Sequence, residues 1–184
     1  MYKLSKVKGI VRIPPPFFNL PFERAAKLVL SERFIGTTHP DIGVIIAVLD
    51  VKVSEEGRVI PGDGSTYHDA EFYVLSYKPE VKEVVEGQVV QIQRYGLTVT
   101  MGPMEGFAHI SQVMDERVVH DPQRRALIGE NTRRIIEVGD TVRARIVSVA
   151  YSGPLSRPRA QLTLRQPYLG KEEWYTSKEE KKKK

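Results

Sequence analysis

The chain contains no cysteine, which excludes disulfides, thiolate metal ligation and cysteine nucleophiles. No apolar run approaches the roughly 20 residues that a membrane-spanning helix needs. The opening Met1-Tyr2-Lys3-Leu4 passes straight into strand-like sequence, without the apolar stretch of a signal peptide. These absences lead to the expectation of a soluble, cytoplasmic protein. Histidine is sparse, and His39, His68, His109 and His120 lack the spacing of a zinc site. No Gly-x-Ser-x-Gly elbow occurs. Pro61-Gly62-Asp63-Gly64-Ser65-Thr66-Tyr67 invites a phosphate-loop reading and fails it. Tyr67 stands where a dinucleotide fingerprint needs its third glycine, and the Gly-Lys-Ser/Thr of a Walker loop is missing. Asp63 and Asp69 flank this turn with no basic or metal-ligating partner evident in the sequence. No usual catalytic grouping is present, so catalysis and a cofactor are not expected.

The 184 residues suit one domain or two small ones, and 41 % hydrophobic content is enough for a buried core. The net charge of +5 is unevenly placed. Residues 1–80 carry 10 Lys/Arg against 10 Asp/Glu, whereas residues 81–184 carry 18 against 13. Arginine is skewed the same way, with 4 in the first segment and 11 in the second. Its guanidinium suits bidentate phosphate contact and base stacking, so the second half favours a polyanion partner.

In the first half, Tyr2 to Ile13 is β-prone, with Val7, Val11 and Ile13 on one side and Lys3, Lys6 and Lys8 marking an exposed edge. Gly9 is expected to mark a bulge. Pro14-Pro15-Pro16 ends the ladder. A helix follows, with Asn19 as its cap, Pro21 in the first turn, an apolar stripe of Phe22, Ala25, Ala26, Val29 and Leu30, and Gly36 as its stop. Phe17 and Phe18 either tuck under the domain or are presented to a partner. Gly43 to Leu49 reads as a buried central strand, Glu55 to Arg58 as a turn, and Glu71 to Tyr77 as a closing strand. Strand, helix and three strands over residues 1–80 describe an α+β sheet with one helix packed on it. The aromatic signature of an RNA-recognition motif is absent, so base stacking is not assigned to this half.

The second half restarts at Val81. Gly87 opens a first strand with Val89 and Ile92 in the core. In a second, Leu97, Val99 and Met101 face in and Thr98 and Thr100 face out. In a third, Ala108 and Ile110 face in and leave Phe107 and His109 outside. An insertion covers residues 112–138, with Asp121-Pro122 and Gly129 as breaks. After Gly139-Asp140, Val142, Ala144 and Ile146 alternate with Arg143 and Arg145. A loop at Gly153-Pro154 and Arg157-Pro158 leads to Ala160, Leu162 and Leu164, which alternate with Arg159, Gln161, Thr163 and Arg165. Five short strands with a long link between the third and fourth describe an all-β OB-type barrel over residues 81–170. The charged segment 171–184 reads as a frayed or disordered tail.

Single-stranded nucleic acid needs π-faces for its bases and cations for its backbone. Tyr95, Phe107 and His109 are the candidates for the first role, and Arg143, Arg145, Arg159 and Arg165 for the second. Burial of the aromatics and plain solvation of the arginines are the competing readings.

Tyr95-Gly96, Val99, Gly106, His109-Ile110-Ser111, Gly139-Asp140 and Leu162-Thr163 resemble the S1-type OB fold, named after the ribosomal protein. Gly62-Asp63-Gly64-Ser65, Met114-Asp115 through Asp121-Pro122, and Arg165-Gln166-Pro167-Tyr168-Leu169-Gly170 narrow this further. Over essentially the whole chain the sequence resembles the E-prime family of archaeal RNA polymerase stalk proteins, whose eukaryotic counterparts are the seventh polymerase subunits. The resemblance implies a truncated ribonucleoprotein-like (RNP-like) N-terminal domain that docks on the polymerase core through a tip at Gly62, Asp63 and Gly64. It also implies that this domain packs against a smaller partner, the F subunit of RNA polymerase. It further implies an S1-like barrel binding emerging single-stranded RNA, in a noncatalytic stalk that supports promoter opening, elongation and termination. Carried over by position, the stacking places fall on Tyr95, Phe107 and His109 and the cationic place on Arg159. Thr98 stands where the family pattern has a second aromatic, and the loop before the fifth strand lacks an aspartate that RNA-binding members often have. Both departures predict loose, sequence-tolerant binding. The competing reading is a stand-alone OB-fold RNA-binding protein of translation.

Overall fold

The computed structural model describes residues 1–151, 153 and 158–174. The loop expected at Pro154 and Arg157, and the tail beyond Trp174, lie outside them. The described chain forms two compact units, one over Met1–Lys78 and one beginning at Pro79.

In the first unit, period-two alternation along β1 (Tyr2–Ile13) puts Val11 and Ile13 into the core and Val7 at its margin. Helix α1 (Phe22–Phe34) covers that face with Ala25, Ala26 and Leu30. The remaining strands are β2 (Thr38–His39), β3 (Gly43–Val59) and β4 (Thr66–Tyr77), and the order across the sheet is β1-β4-β3-β2. The lysine-bearing strand β1 is therefore an edge, as its sequence predicts. Gly36, just past the helix, has φ +83 and fits its role as a stop.

Three local expectations differ from what forms. Asn19 does not cap α1. The chain folds into tight turns over Phe17–Leu20, Pro21 occupies the cap position, and no side chain bonds the helix start. Gly9 is not a bulge, because β1 pairs with β4 in unbroken register from Tyr2↔Tyr77 to Ile13↔Thr66. The irregularities lie in β3, whose 17 residues must match the 12 of β4. They fall between Ile45 and Ala47, Leu49 and Lys52, and Val53 and Gly57. The last absorbs Glu55 and Glu56, so the turn expected there is strand, and the chain reverses at Ile60–Ser65 instead. The buried His68 sits under this bulge, with Nδ1 2.9 Å from the Ser54 carbonyl oxygen. Gly57 makes room for it, since a Cβ there would lie 2.7 Å from His68 Nε2.

The second unit is built on a barrel. β5 (Val84–Gln93), β6 (Gly96–Met101) and β7 (Met104–His109) form an antiparallel meander. Val89, Leu97, Val99, Met101, Met104 and Ala108 point inward. β5 starts three residues before Gly87, which sits inside the strand because a side chain there would strike the Thr100 carbonyl. Ile92 is only half-buried, since a register shift between Val89 and Gln91 turns the strand. Ile110 leaves the barrel lining because the chain turns into a 3-10 helix over Ile110–Gln112.

The insertion folds as its own small sheet, β8 (Val118–Asp121), β9 (Ala126–Gly129) and β10 (Ile135–Glu137). Glu116 staples its base by accepting hydrogen bonds from the Asn131 and Thr132 amides at 2.7 and 2.9 Å. β11 (Thr141–Ala150) and β12 (Arg159–Thr163) then complete the barrel. β12 pairs parallel with β7 and antiparallel with β11, and β11 pairs with β5, so five strands close on themselves. A short β13 (Gly170–Lys171) adds to β11. Lys171 bonds Asp140 at 3.0 Å. Gly170, at φ +93, lies against the Trp174 ring, and the Arg134 guanidinium stands 5.4 Å from the centroid of that ring. No helix among the described residues is long and apolar enough to cross a membrane.

On the outer face of the first sheet, Glu71 on β4 bonds Lys6 at 2.7 Å and Lys8 at 2.5 Å on β1. The Lys6 hydrogen bond, followed by that from Lys8, lowers the Glu71 pKa from 4.5 to about 2. A depressed carboxylate stabilises the fold above its unfolded pKa and loses that contribution as pH falls towards the folded one. In urea titrations at stepped pH, the stability gap between the natural protein and Glu71→Gln should therefore be full above pH 4.5 and vanish near pH 2. A gap that does not change over that window would refute the assignment.

Candidate nucleic-acid interface and docking tip

The outward face of β6 and β7 carries the aromatic group. Gly96 pairs with His109 and Thr98 with Phe107, so residues far apart in sequence become lateral neighbours. Tyr95, in the turn before β6, leans onto Phe107 with ring centroids 5.7 Å apart and planes at 45°. Tyr95 is 57 % exposed, Phe107 half-buried and His109 exposed. Gly96 is required here, since a Cβ would come within 2.6 Å of Phe107 Cζ. His109 is steadied by the Ser111 hydroxyl, 2.8 Å from its Nδ1. The three predicted stacking residues are thus one contiguous surface.

The four arginines are not. Arg143 and Arg145 lie on β11, which is flanked by β5 and β12 and does not border β6 or β7. Closing the barrel carries them away from the aromatics, and Arg143 is bound to Glu86 at 2.7 Å. Arg165 follows β12 and is bound to Asp115, with Nε and Nη2 at 2.7 and 2.6 Å from Oδ1. Arg159 opens β12 beside β7, is exposed, and has no acidic partner among the described residues. It is the cation of the four best placed to serve the aromatic face.

Two further residues belong here. Arg94 is exposed in the turn beside Tyr95, and its position next to an expected stacker was available from sequence. Gln161 pairs directly with Phe107 in the parallel β7–β12 register. That contact joins residues 54 positions apart, and no local pattern announces it.

In the first unit, Gly62, Asp63 and Gly64 lie in the turn between β3 and β4. Asp63 is not isolated. It accepts from Arg12 Nε at 2.8 Å and Nη2 at 2.9 Å, from Tyr67 Oη at 2.6 Å, and from the Ser65 amide at 3.1 Å. The Arg12 bond, then that of Tyr67, holds its carboxyl well below the usual carboxylate range. Arg12 and Tyr67 face each other across β1 and β4, so strand register delivers both partners. Gly62 has φ +90, and Gly64 lies against Pro15, with 3.6 Å from a would-be Cβ to Pro15 Cγ. Around this braced turn, Val59 and Ile60 are exposed at 67 % and 49 %, and Phe18 follows the adjoining Pro15–Phe17 turn at 48 %. Of the two phenylalanines, Phe17 packs on the core and Phe18 does not.

Both halves match described domains. Residues 8–64 match the SHS2 domain found in the N terminus of Rpb7p/Rpc25p/MJ0397, and residues 78–153 match the S1 RNA binding domain. Full-length relatives agree. DNA-directed RNA polymerase subunit Rpo7 of Saccharolobus shibatae is 47 % identical, over 96 % of this chain and 98 % of its own. The Sulfolobus acidocaldarius Rpo7 is also 47 % identical, over 95 % and 94 %. DNA-directed RNA polymerase III subunit RPC8 of Saccharomyces cerevisiae is 30 % identical, over 88 % and 82 %. With an SHS2 unit followed by an S1 barrel, and near-half identity along its length, this chain belongs to the Rpo7 family of DNA-directed RNA polymerase subunits.

Proposed function

We propose that this protein is a noncatalytic stalk component of a cytoplasmic DNA-directed RNA polymerase. It binds emerging single-stranded RNA on its barrel and docks on the polymerase core through the Gly62–Gly64 tip. The smaller F subunit of the polymerase is its heterodimer partner. Through these contacts it supports promoter opening, elongation and termination. The observation that carries the RNA part is the contiguous outward-facing surface of Tyr95, half-buried Phe107 and His109. Exposed aromatic faces on an OB barrel stack bases at about 1–3 kcal/mol each, with little sequence preference. Arg159 and Arg94 supply the adjoining phosphate contacts. The alternative, a free-standing translation protein, has the same barrel but no use for a first unit with a braced tip.

The tip part rests on a different observation. Arg12, Tyr67 and the Ser65 amide satisfy the Asp63 carboxylate within the protein. What projects is backbone, two glycines and the apolar side chains of Val59, Ile60 and Phe18. A pre-ordered, apolar projection loses little entropy and few hydrogen bonds when it enters a groove on another protein.

For RNA, Tyr95→Ala combined with His109→Ala should weaken single-stranded RNA binding at least tenfold, the sum of two stacks at ~1 kcal/mol each. Arg159→Ala should flatten the salt dependence of log K by about one phosphate contact. Fluorescence anisotropy across a salt series reads both. Unchanged affinity and slope in folded variants would remove the site.

For docking, Gly62→Val puts a β-branched residue at φ +90 and should misshape the tip. Reconstitution with the polymerase core should fail or weaken, while RNA binding by the free protein is retained. Normal core association would count against the tip.

A further inference from the structure

The tip between β3 and β4 has two unlike sides, and strand register separates them. Opposed residues of an antiparallel pair put their side chains on the same face of a sheet. Ile13, Thr66 and Val59 form one such row, and Val11, His68 and Gly57 another. Val11 and Ile13 belong to the core that α1 covers, so both rows lie on the helix face. The buried His68 agrees, with its ring 5.1 Å from that of Phe22 at the start of α1. The row between them, Arg12, Tyr67 and Arg58, points by alternation to the outer face.

The two sides differ in chemistry. On the outer face, Arg12 and Tyr67 both bond Asp63, and Arg58 is exposed beside Tyr67. The rows that follow carry Ile10 with Asp69, then Lys8, Glu71 and Lys52. Ile10 is the one exposed apolar side chain among them. On the helix face, Val59 is 67 % exposed and Phe22 50 %. The segment that leads into α1 also meets the tip, where Pro15 lies against Gly64. Covering Val59 and Phe22 removes apolar surface from water, a gain that grows with the area. Covering the outer face takes water from the Arg12–Asp63 pair and from Arg58, a cost that needs new polar partners to offset it.

We propose that the polymerase core grips the helix face of the tip, with Val59 and Phe22 as its apolar contacts, and that the Arg12–Asp63–Tyr67 side stays in water. The core is the occupant because this face is continuous with the Gly62–Gly64 turn that enters it. This rests on the docking reading above and gives it an orientation. The receiving groove is then apolar where it meets α1, and it needs no cation aimed at Asp63.

The test titrates the fluorescently labelled full-length protein with polymerase core that lacks it. Val59→Ser and Phe22→Ala should each weaken association about tenfold, the scale of one truncated apolar anchor. Arg58→Ala, on the outer face, should leave it within about twofold. Phe22 also packs on His68, so its loss touches the fold. Val59 is mostly exposed, and an unchanged melting curve for Val59→Ser verifies that the first unit is intact. Normal association of both helix-face variants, or a loss on Arg58→Ala as large as theirs, would overturn the orientation. If Gly62→Val abolishes association while the helix-face variants bind normally, this inference alone falls. If Gly62→Val binds normally as well, the docking reading falls with it.

Discussion

Closure of the barrel by β12 is the constraint from which the second unit follows. One five-residue strand bonds β11 on one side and β7 on the other, antiparallel and parallel respectively. A closed sheet has a single inside, so the side on which each residue falls is decided for all five strands at once. Leu97, Val99, Met101, Ala108, Ala144, Ile146, Ala160 and Leu162 fill that inside and are nearly inaccessible to water. A slip of one residue in β12 would expose Leu162 and bury Gln161, an exchange of apolar for polar in the core that the fold does not tolerate. The same closure also separates the arginines. It keeps Arg159 at the border of β7 and sends Arg143 and Arg145 around to the side shared with β5.

Much of this was legible from local pattern. Alternation alone gave the inward residues of β6, β11 and β12 and Ala108 of β7, because burial on one face leaves a period of two in the sequence, but it also placed Ile110 inside and passed over Met104. Gly36 and Gly139 stop and turn the chain where their sequence contexts place them. The grouping of Tyr95, Phe107 and His109 followed from the same logic, since the strands that carry them are joined by tight turns and must pair. What local pattern missed involves distance along the chain. The bulges of β3 depend on a length mismatch with β4, which only pairing reveals. The Asp63 bracket takes its cation, Arg12, from a distant strand, so nothing near that aspartate in sequence announces its charged partner. The three strands inside the insertion are each only three or four residues long, too short for periodicity to register. Which arginines reach the aromatic face depended on the order of strands around the barrel, which alternation does not contain.

The two units handle charge in a shared way. At the tip, Asp63 is neutralised by Arg12, and at the edge of the first sheet Glu71 is held by two lysines. In the second unit, Glu86 holds Arg143, Asp115 holds Arg165, and Asp140 holds Lys171. Most of these pairs are exposed, and exposed pairs add little stability. Their effect is to occupy charges. Arg159 and Arg94, which have no acidic partner among the described residues, sit beside the aromatic surface. The basic excess of the second half thus contributes at fewer places than a count of arginines suggests.

The only tryptophan in the chain stands on Gly170 and under Arg134, at the joint between the strand that follows the barrel and the small inserted sheet. Its indole is not among the side chains assigned to RNA. The protein therefore carries an intrinsic fluorophore at a structural seam, outside the strands that bear its aromatic face. Selective indole excitation monitors whether that seam is intact, with no label attached. Each substitution on the aromatic face leaves the fluorophore itself in place, so loss of a ligand and loss of the fold can be told apart in one cuvette.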